Sequence, residues 1–509
     1  MVHFWESSTW GLIALLAVVF ASLIIASLLK KALPFLRKSL IPTSVLGGIL
    51  LLVIATTYFY ITGDVMFDTK FFGGNGSQVL EIITYHMLAL GFIASTLVTN
   101  EKKVTKQRTA EVFNTGLTTV STYLLQGVLG LAITIVASLI VPKIFPAAGV
   151  ILPFGFGQGT GQALNYGTIY EETYGFTGGA HFGLTIAAMG FLSASLGGTV
   201  HLNILKKRGK IFVKNDSAEV FTADEIQNAN ERPMSGSWDK LTLQIALVLV
   251  VYFASYGLMA LIGSFVGENL RSTIFGLNFL FGVLLAVVAK EILKLLNKGK
   301  VLQKQYTNNF LLTRISNFCF DIMIVTGIAV IRIDYIAEYW GIILILAFVG
   351  LFATYLYNHF VAKKLFPNYT EEQFLAMYGM LTGTASTGII LLRELDGEFK
   401  TPAAENLVYQ NFPAIAFGFP MMIIASIAPD MPVITLGIIV VYFVVINLIL
   451  FRKQIFKKKT ATPPPIEIST PFENCLHCNG TCTNASKRTN EGDANTTLSK
   501  HSLEKSTNN

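Results

Sequence analysis

Charged residues are scarce in this sequence. They make up 14% of its 509 residues, whereas hydrophobic residues make up 52%, and the mean hydropathy is +0.56. A soluble globular protein averages about 25% charged residues, so this chain has too few for a cytosolic enzyme or a disordered protein. The same scarcity of charge excludes a secreted disulfide scaffold. The composition therefore predicts a membrane protein with many spanning segments.

Common catalytic motifs are missing as well. The sequence contains no HExxH, no GxSxG and no P-loop of the form GxxxxGK[ST]. We therefore expect a protein that is not an enzyme and that does not use ATP as its direct energy source.

Apolar runs dominate what is present. A helix needs about 20 mostly apolar residues to cross a bilayer, and eleven segments meet this length. They are residues 9–29, 44–62, 78–97, 116–141, 180–203, 240–264, 272–297, 310–331, 338–360, 405–427 and 431–451. Two further apolar stretches, 146–165 and 373–392, are interrupted by Gly and Thr. Because Lys30 and Lys31 follow the first apolar run, we expect 9–29 to be a retained span with the N-terminus outside.

The distribution of basic residues tests this arrangement, because cytoplasmic loops of membrane proteins are rich in Lys and Arg. With both interrupted stretches turning back to the side they came from, the predicted cytoplasmic segments hold 24 Lys and Arg and the outer segments hold four. The cytoplasmic segments are 30–43, 98–115, 204–239, 298–309, 361–372 and 452–459. The pattern predicts that both stretches are re-entrant hairpins, and it assigns the net charge of +7 to membrane orientation rather than to nucleic-acid binding.

The alternation also predicts an all-α polytopic membrane protein built as an inverted repeat. Each half contains five spans, with a hairpin before the fifth, and paired interrupted segments of this kind mark the site of secondary transporters. The predicted parts are a first repeat 1–203 with hairpin 146–165, a cytoplasmic linker 204–239, a second repeat 240–427 with hairpin 373–392, an additional span 431–451, and a cytoplasmic, disordered tail 452–509.

The two hairpins carry residue types suited to binding small ions. The first reads FGFGQGTGQALNYG from Phe154 to Gly167, and the second reads GMLTGTASTG from Gly379 to Gly388. Repeated Gly weakens a helix by about 1 kcal/mol at each position. Broken helices expose N–H groups that suit a carboxylate and carbonyls that, with Thr160, suit sodium. The alternative is that these are ordinary Gly/Thr packing motifs of spanning helices.

The segment Gly157-Gln158-Gly159-Thr160-Gly161, followed by Glu171 to Phe176, resembles the sodium/glutamate symporter family. That family has G-H-G-T-G ahead of an E-R-Y-G-F-like stretch, so Gln158 stands where the family has His. The resemblance covers roughly residues 1–427. It implies an inverted-repeat secondary transporter of the cell membrane with sodium as coupling ion and no organic cofactor. It also implies an acidic amino acid substrate and a homodimer.

The hairpins and the resemblance together predict the site residues. The expected substrate-binding residues are Gly157, Gln158, Gly159, Thr160, Gly161, Ser386, Thr387 and Arg393. The expected sodium ligands are Thr160, Asn317, Asp321, Gly383 and Thr384. Asp321 is expensive to bury in a membrane, and its alternative role is an internal ion pair or hydrogen bond. The alternative for Arg393 is a solvated position at a helix end.

The leading hypothesis is sodium-coupled symport of glutamate or a similar small anionic amino acid across a lipid bilayer. Two alternatives stay open at this point. One is a transporter of another organic anion, proton-coupled through Asp321. The other is a membrane sensor with a transporter-like fold. The tail holds Cys475, Cys478 and Cys482 around His477, and we expect reduced thiols there in preference to a metal site.

Overall fold

The computed structural model describes residues 5, 7–99, 106–209, 239–267, 271, 274–299, 305–396 and 400–455. The regular structure within these ranges is helical, which confirms the expected all-α fold for the described part of the chain. Most of the predicted linker 204–239 and the predicted tail after residue 455 lie outside the described residues.

The helices follow one another in a simple order along the chain. In that order they are α1 (Ser7–Ala32), α2 (Pro34–Lys38), α3 (Thr43–Thr62), α4 (Gly76–Leu97), α5 (Lys106–Ile140), α6 (Ile151–Gln158), α7 (Thr160–Tyr174), α8 (Gly179–Lys207), α9 (Lys240–Gly263), α10 (Asn278–Lys298), α11 (Asn309–Ala329), α12 (Ile333–Ile336), α13 (Trp340–Leu365), α14 (Thr370–Thr382), α15 (Ala385–Arg393), α16 (Ala403–Tyr409), α17 (Asn411–Ile427), α18 (Pro432–Leu450) and α19 (Arg452–Ile455).

The predicted count of eleven spans is higher than the structure supports. Nine helical segments of the described chain are long and apolar enough to cross a membrane, and the pair α16–α17, bent by 50°, brings the number to ten. Helix α10, which occupies the predicted span 272–297, is not among them. Lys290, Glu291 and Lys294 make its second half too charged, and the Lys290 ammonium donates to the carbonyl oxygen of Val98 at 2.6 Å.

Two pairs of long helices cross in opposite directions. Between α4 and α11, the hydroxyls of Thr84 and Thr326 are 2.8 Å apart, and Ser316 donates to the carbonyl of Gly91 at 2.9 Å. As the residue number rises on α4 it falls on α11, so the helices are antiparallel.

The pair α5 and α13 shows the same reversal. Ser121 lies 2.5 Å from the Tyr357 hydroxyl, and the Gln126 amide donates to the Thr354 hydroxyl at 2.8 Å. The two helices of each pair occupy equivalent positions in the two predicted repeats.

The chain reverses direction at Gly159. The rings of Phe154 on α6 and Tyr166 on α7 stack with centroids 4.0 Å apart, whereas a continuous helix would separate them by about 18 Å. Phe145 and Phe176, which flank the two helices, also stack at 4.8 Å. The first hairpin therefore spans α6 and α7 and ends at Tyr174, nine residues beyond the predicted bound of 165.

The second reversal lies at Gly383 and Thr384, between α14 and α15. A Cβ built on Gly379 would lie 2.7 Å from the Cα of Gly388, so the two arms touch backbone to backbone. Glycine at both positions permits this approach. The hairpin runs over 370–393, close to the predicted 373–392.

Candidate functional site

Both hairpin tips lie at the level of the middle of the long helices. The Tyr123 hydroxyl, halfway along α5, donates to the carbonyl of Gly157 at 2.9 Å. One turn further along α5, the Gln126 amide donates to Leu381 of the second hairpin at 3.0 Å and to Thr354, near the middle of α13. The two tips therefore reach the same depth inside the molecule, and protein covers their irregular backbone.

The two tips lie next to each other. A Cβ built on Gly159 would lie 3.7 Å from the Cγ2 atom of Thr384 and 3.8 Å from the ring of Phe191. The same ring lies 3.3 Å from the corresponding position on Gly383. Phe191 on α8 thus packs beneath both tips and joins them into one site.

The first tip depends on a backbone conformation that favours glycine. Gly159 has φ +80° and ψ −168°, in a region that other residues almost never adopt. Its carbonyl accepts the Ala163 N–H at 3.2 Å. The N–H groups of the first turn of α7, which come before Ala163, are therefore not used for hydrogen bonds within the helix. Next to it, the buried Thr160 hydroxyl donates to the carbonyl of Met323 on α11 at 3.1 Å.

The second tip is rich in hydroxyls. Thr384 is the N-cap of α15 and accepts the N–H of Thr387 at 3.4 Å. Thr382 and Thr387 are buried, whereas Ser386 is half-buried. This tip therefore combines the carbonyl end of α14 with the N–H end of α15, and so offers both signs of partial charge within a few residues.

The structure brings most of the predicted site residues together. They are Gly157, Gln158, Gly159, Thr160 and Gly161 in the first tip, and Gly383, Thr384, Ser386 and Thr387 in the second. Arg393 does not join them, because it lies nine residues after Thr384, about 13 Å along the helix, and it is exposed.

Asn317 and Asp321 also lie apart from the tips. Both are exposed on α11, on the face that carries Phe318, whose ring stacks on Phe20 of α1. Met323 and Gly327, which contact Thr160, lie on another face, because Asp321 and Met323 are separated by about 200° around the helix. The sodium role of Asn317 and Asp321 stays a prediction that this geometry does not support.

Sequence reasoning missed several residues of the site. Besides Phe191 and Met323, Gln162 is completely buried two residues after Thr160. Its carbonyl accepts from the Asn165 amide at 3.0 Å, and its own amide nitrogen has no hydrogen-bond partner within the described residues. A buried donor without a partner costs about 1–3 kcal/mol. Its position inside the GQALN segment of the hairpin was the available signal.

Helix α8 holds both hairpins through its small residues. The sequence repeats Gly183, Gly190 and Gly197 at seven-residue spacing, which predicts close packing. A Cβ on Gly190 would lie 2.6 Å from the carbonyl oxygen of Thr382 and 3.1 Å from Phe156, so this one residue contacts both hairpins. Gly183 meets the backbone of Ala163, and Gly197 meets the Tyr378 hydroxyl. The packing prediction is confirmed.

The bent pair α16–α17 lies beside the second hairpin. Gln410 separates α16 from α17. Its side-chain carbonyl oxygen accepts from the Thr119 hydroxyl of α5 at 2.8 Å. Its amide donates to Asn411 at 3.0 Å and to the sulfur of Met380 at 3.3 Å. Gln410 therefore bonds both to α5 and, through Met380, to α14 of the second hairpin.

The two hairpins differ in exposure. Almost every residue of α6 and of the first part of α7 is buried, whereas Ala385 and Arg393 on α15 are exposed and Ile389 is half-buried. The open side of the site therefore lies along α15.

Comparison with known proteins gives one family. The family model described as sodium/glutamate symporter matches residues 9–384. This range includes the whole first hairpin and the second tip as far as Thr384. A comparison with curated proteins finds no match.

Proposed function

Because the chain belongs to the sodium/glutamate symporter family, and is therefore a sodium-coupled transporter of the membrane, we propose that it carries glutamate or a similar small anionic amino acid. The substrate site in this proposal lies between the two hairpin tips. The observation that supports it is the proximity of Gly159 and Thr384 at the middle of α5 and α13. Paired broken segments at this depth mark the binding site of secondary transporters.

Helix termini would bind the anionic groups of the substrate. The tip segments 154–167 and 379–388 contain no Lys or Arg. The positive potential must therefore come from the N-termini of α7 and α15, whose first-turn N–H groups lie at the tips. The buried amide of Gln162 is a further donor beside the first tip.

Hydroxyl and carbonyl oxygens would bind sodium. The Thr160 hydroxyl uses its proton for the Met323 carbonyl, so its lone pairs remain available to a cation. The carbonyl ends of α6 and α14 and the hydroxyl of Thr384 supply further oxygen ligands. In this proposal the ion orders both tips and thereby completes the substrate site, which couples the two binding events.

The proposal extends to the whole chain. The antiparallel pairs α4–α11 and α5–α13 support two inverted repeats, and the reversals at Gly159 and Gly383 support two re-entrant hairpins. The N-terminus lies outside, the C-terminus lies in the cytoplasm, and the working form is a homodimer.

Uptake into proteoliposomes tests the site. We expect labelled glutamate to accumulate only with an inward sodium gradient, and Thr384→Val to lower uptake at least tenfold and weaken its dependence on sodium. The matched control is Thr57→Val, because the exposed Thr57 hydroxyl only donates to Val53 in its own helix. Glutamate uptake that ignores the sodium gradient would defeat the proposal. Uptake driven by pH instead would favour the proton-coupled alternative.

A further inference from the structure

Three ligand-type side chains meet at the base of the second hairpin. They are His201 near the end of α8, His359 on α13, and Glu371 in the first turn of α14. One ligand atom of each residue lies within 4.8 Å of the others. The three come from separate stretches of sequence and from three different helices, so the packing of the helices alone brings them together.

The cluster leaves one nitrogen without a partner. His201 is buried, with Nδ1 at 2.6 Å from the Tyr355 hydroxyl and Nε2 at 3.0 Å from a Glu371 carboxylate oxygen. The neighbouring Nδ1 of His359 is buried and has no hydrogen-bond partner within the described residues. Such an atom carries a desolvation cost, and coordination to a metal ion would offset it.

We propose that His201, His359 and Glu371 bind a divalent transition-metal ion of the zinc type. Two imidazoles and one carboxylate form a common ligand set for zinc, and three protein ligands leave a fourth tetrahedral position for water. The Tyr355 hydroxyl, already bonded to His201, would orient that imidazole as an outer partner. Magnesium and sodium prefer oxygen ligands and fit this set poorly.

The ion would fasten the second hairpin to its neighbours. Glu371 begins the hairpin, whereas His201 and His359 belong to the two long helices beside it. The site is separate from the tips, because Glu371 precedes Thr384 by thirteen residues, about 20 Å along a helix. The metal site and the proposed transport site can therefore succeed or fail independently.

Zinc binding to the full-length protein in detergent tests the assignment. The tail residues Cys475, Cys478 and Cys482 are first changed to Ser, since their thiols would compete for zinc. In this background we expect one Zn²⁺ per chain, a rise in unfolding temperature with Zn²⁺, and no rise with Mg²⁺. Co²⁺ should give the visible absorption of a four-coordinate site that contains nitrogen.

The decisive variant is His359→Phe. Phenylalanine keeps the ring contact with Phe374, so the metal-free protein should unfold at the parent temperature while zinc affinity falls at least a hundredfold. The matched control is His86→Phe, because His86 bonds to Tyr252 in another part of the molecule and its loss should change affinity less than twofold. Absence of zinc binding in the background that lacks the three tail cysteines, or equal affinity in both variants, would overturn the assignment.

Discussion

The function of the whole site depends on the backbone conformation of Gly159 in the first tip. Its φ of +80° and ψ of −168° allow α6 to end and α7 to begin within one residue, and the bend delivers the N-terminus of α7 to Thr384. A Cβ atom at this position would make no close contact, since its nearest neighbour would lie at 3.6 Å. The requirement for glycine is therefore conformational rather than steric.

Gly159→Ala should for this reason damage transport more than packing. We expect a strain of about 1–3 kcal/mol, a lower unfolding temperature, and glutamate uptake reduced at least tenfold. The control is Gly257→Ala on α9, where a Cβ meets nothing within 4 Å and the helix should if anything gain stability. Uptake at the parental level in Gly159→Ala would show that transport does not depend on the backbone conformation of this tip.

Asp321 tests most clearly whether the role predicted from the sequence or the position seen in the structure is the better guide to function. It attracts attention as a carboxylate inside a predicted span, yet it lies on a face of α11 that does not contact Thr160. We expect Asp321→Asn to keep the sodium dependence of uptake within about threefold of the parent. Measured sodium activation curves that shift much further would restore Asp321 as a ligand or coupling residue.

At the level of residues, the sequence is informative where local chemistry decides the structure and uninformative where packing decides it. Gly and Thr at the two apices predicted the reversals, because those residues weaken helices in any context. Helical periodicity places Asn317 and Asp321 on one face of α11, but it carries no information about which face meets the hairpins. For the same reason the cluster around His201 could not be predicted, because its members become neighbours only through tertiary packing.

At the scale of elements, α8 is the helix on which both hairpins rest. Its small residues let the backbones of α6, α7 and α14 approach closely, and Phe191 fills the space beneath the tips. Hydropathy predicted this span well. The return arm α7 was predicted too short, because Asn165, Thr168 and Glu171 make it as polar as a loop, although protein surrounds most of it.

Gly190→Ala should separate the hairpins from α8. The new Cβ would lie 2.6 Å from a backbone oxygen of Thr382 and 3.1 Å from Phe156, and neither neighbour can move without shifting a tip. We expect an unfolding temperature several degrees lower and a loss of most uptake. Gly437→Ala on α18 serves as control, since nothing lies within 4 Å of its Cβ. Unchanged uptake in Gly190→Ala would show that the tips tolerate displacement.

At the scale of the whole molecule, the balance of basic residues carried more structural information than any motif. It required both interrupted stretches to turn back, and the structure shows a reversal at each apex. The count of spans differs from the structure for two reasons. Pro413 and Pro420 lie in the bent pair α16–α17, and the charged residues of α10 make that helix too polar to qualify as a span. Hydropathy measures composition along a segment, whereas bending depends on neighbours such as Thr119.

Labelling of single cysteines from the two sides of the membrane tests this arrangement as a whole. In a chain free of other cysteines, Lys143→Cys and Glu172→Cys mark the two ends of the first hairpin, and Lys363→Cys and Arg393→Cys mark the two ends of the second. Lys143 and Glu172 are exposed, and the stacked Phe145 and Phe176 show that the two ends of the first hairpin lie together. The first pair should react with an impermeant maleimide added outside intact cells.

The second pair should react only after the membrane is opened, because Lys363 and Lys364 belong to a basic segment that is expected inside. Labelling of the two members of a pair from opposite sides would mean that the hairpin crosses the membrane completely. That result would refute the inverted repeat and, with it, a substrate site at which two tips meet from opposite sides. If the two cysteines of each pair are labelled from the same side, and the two pairs are labelled from opposite sides, both reversals must occur inside the bilayer.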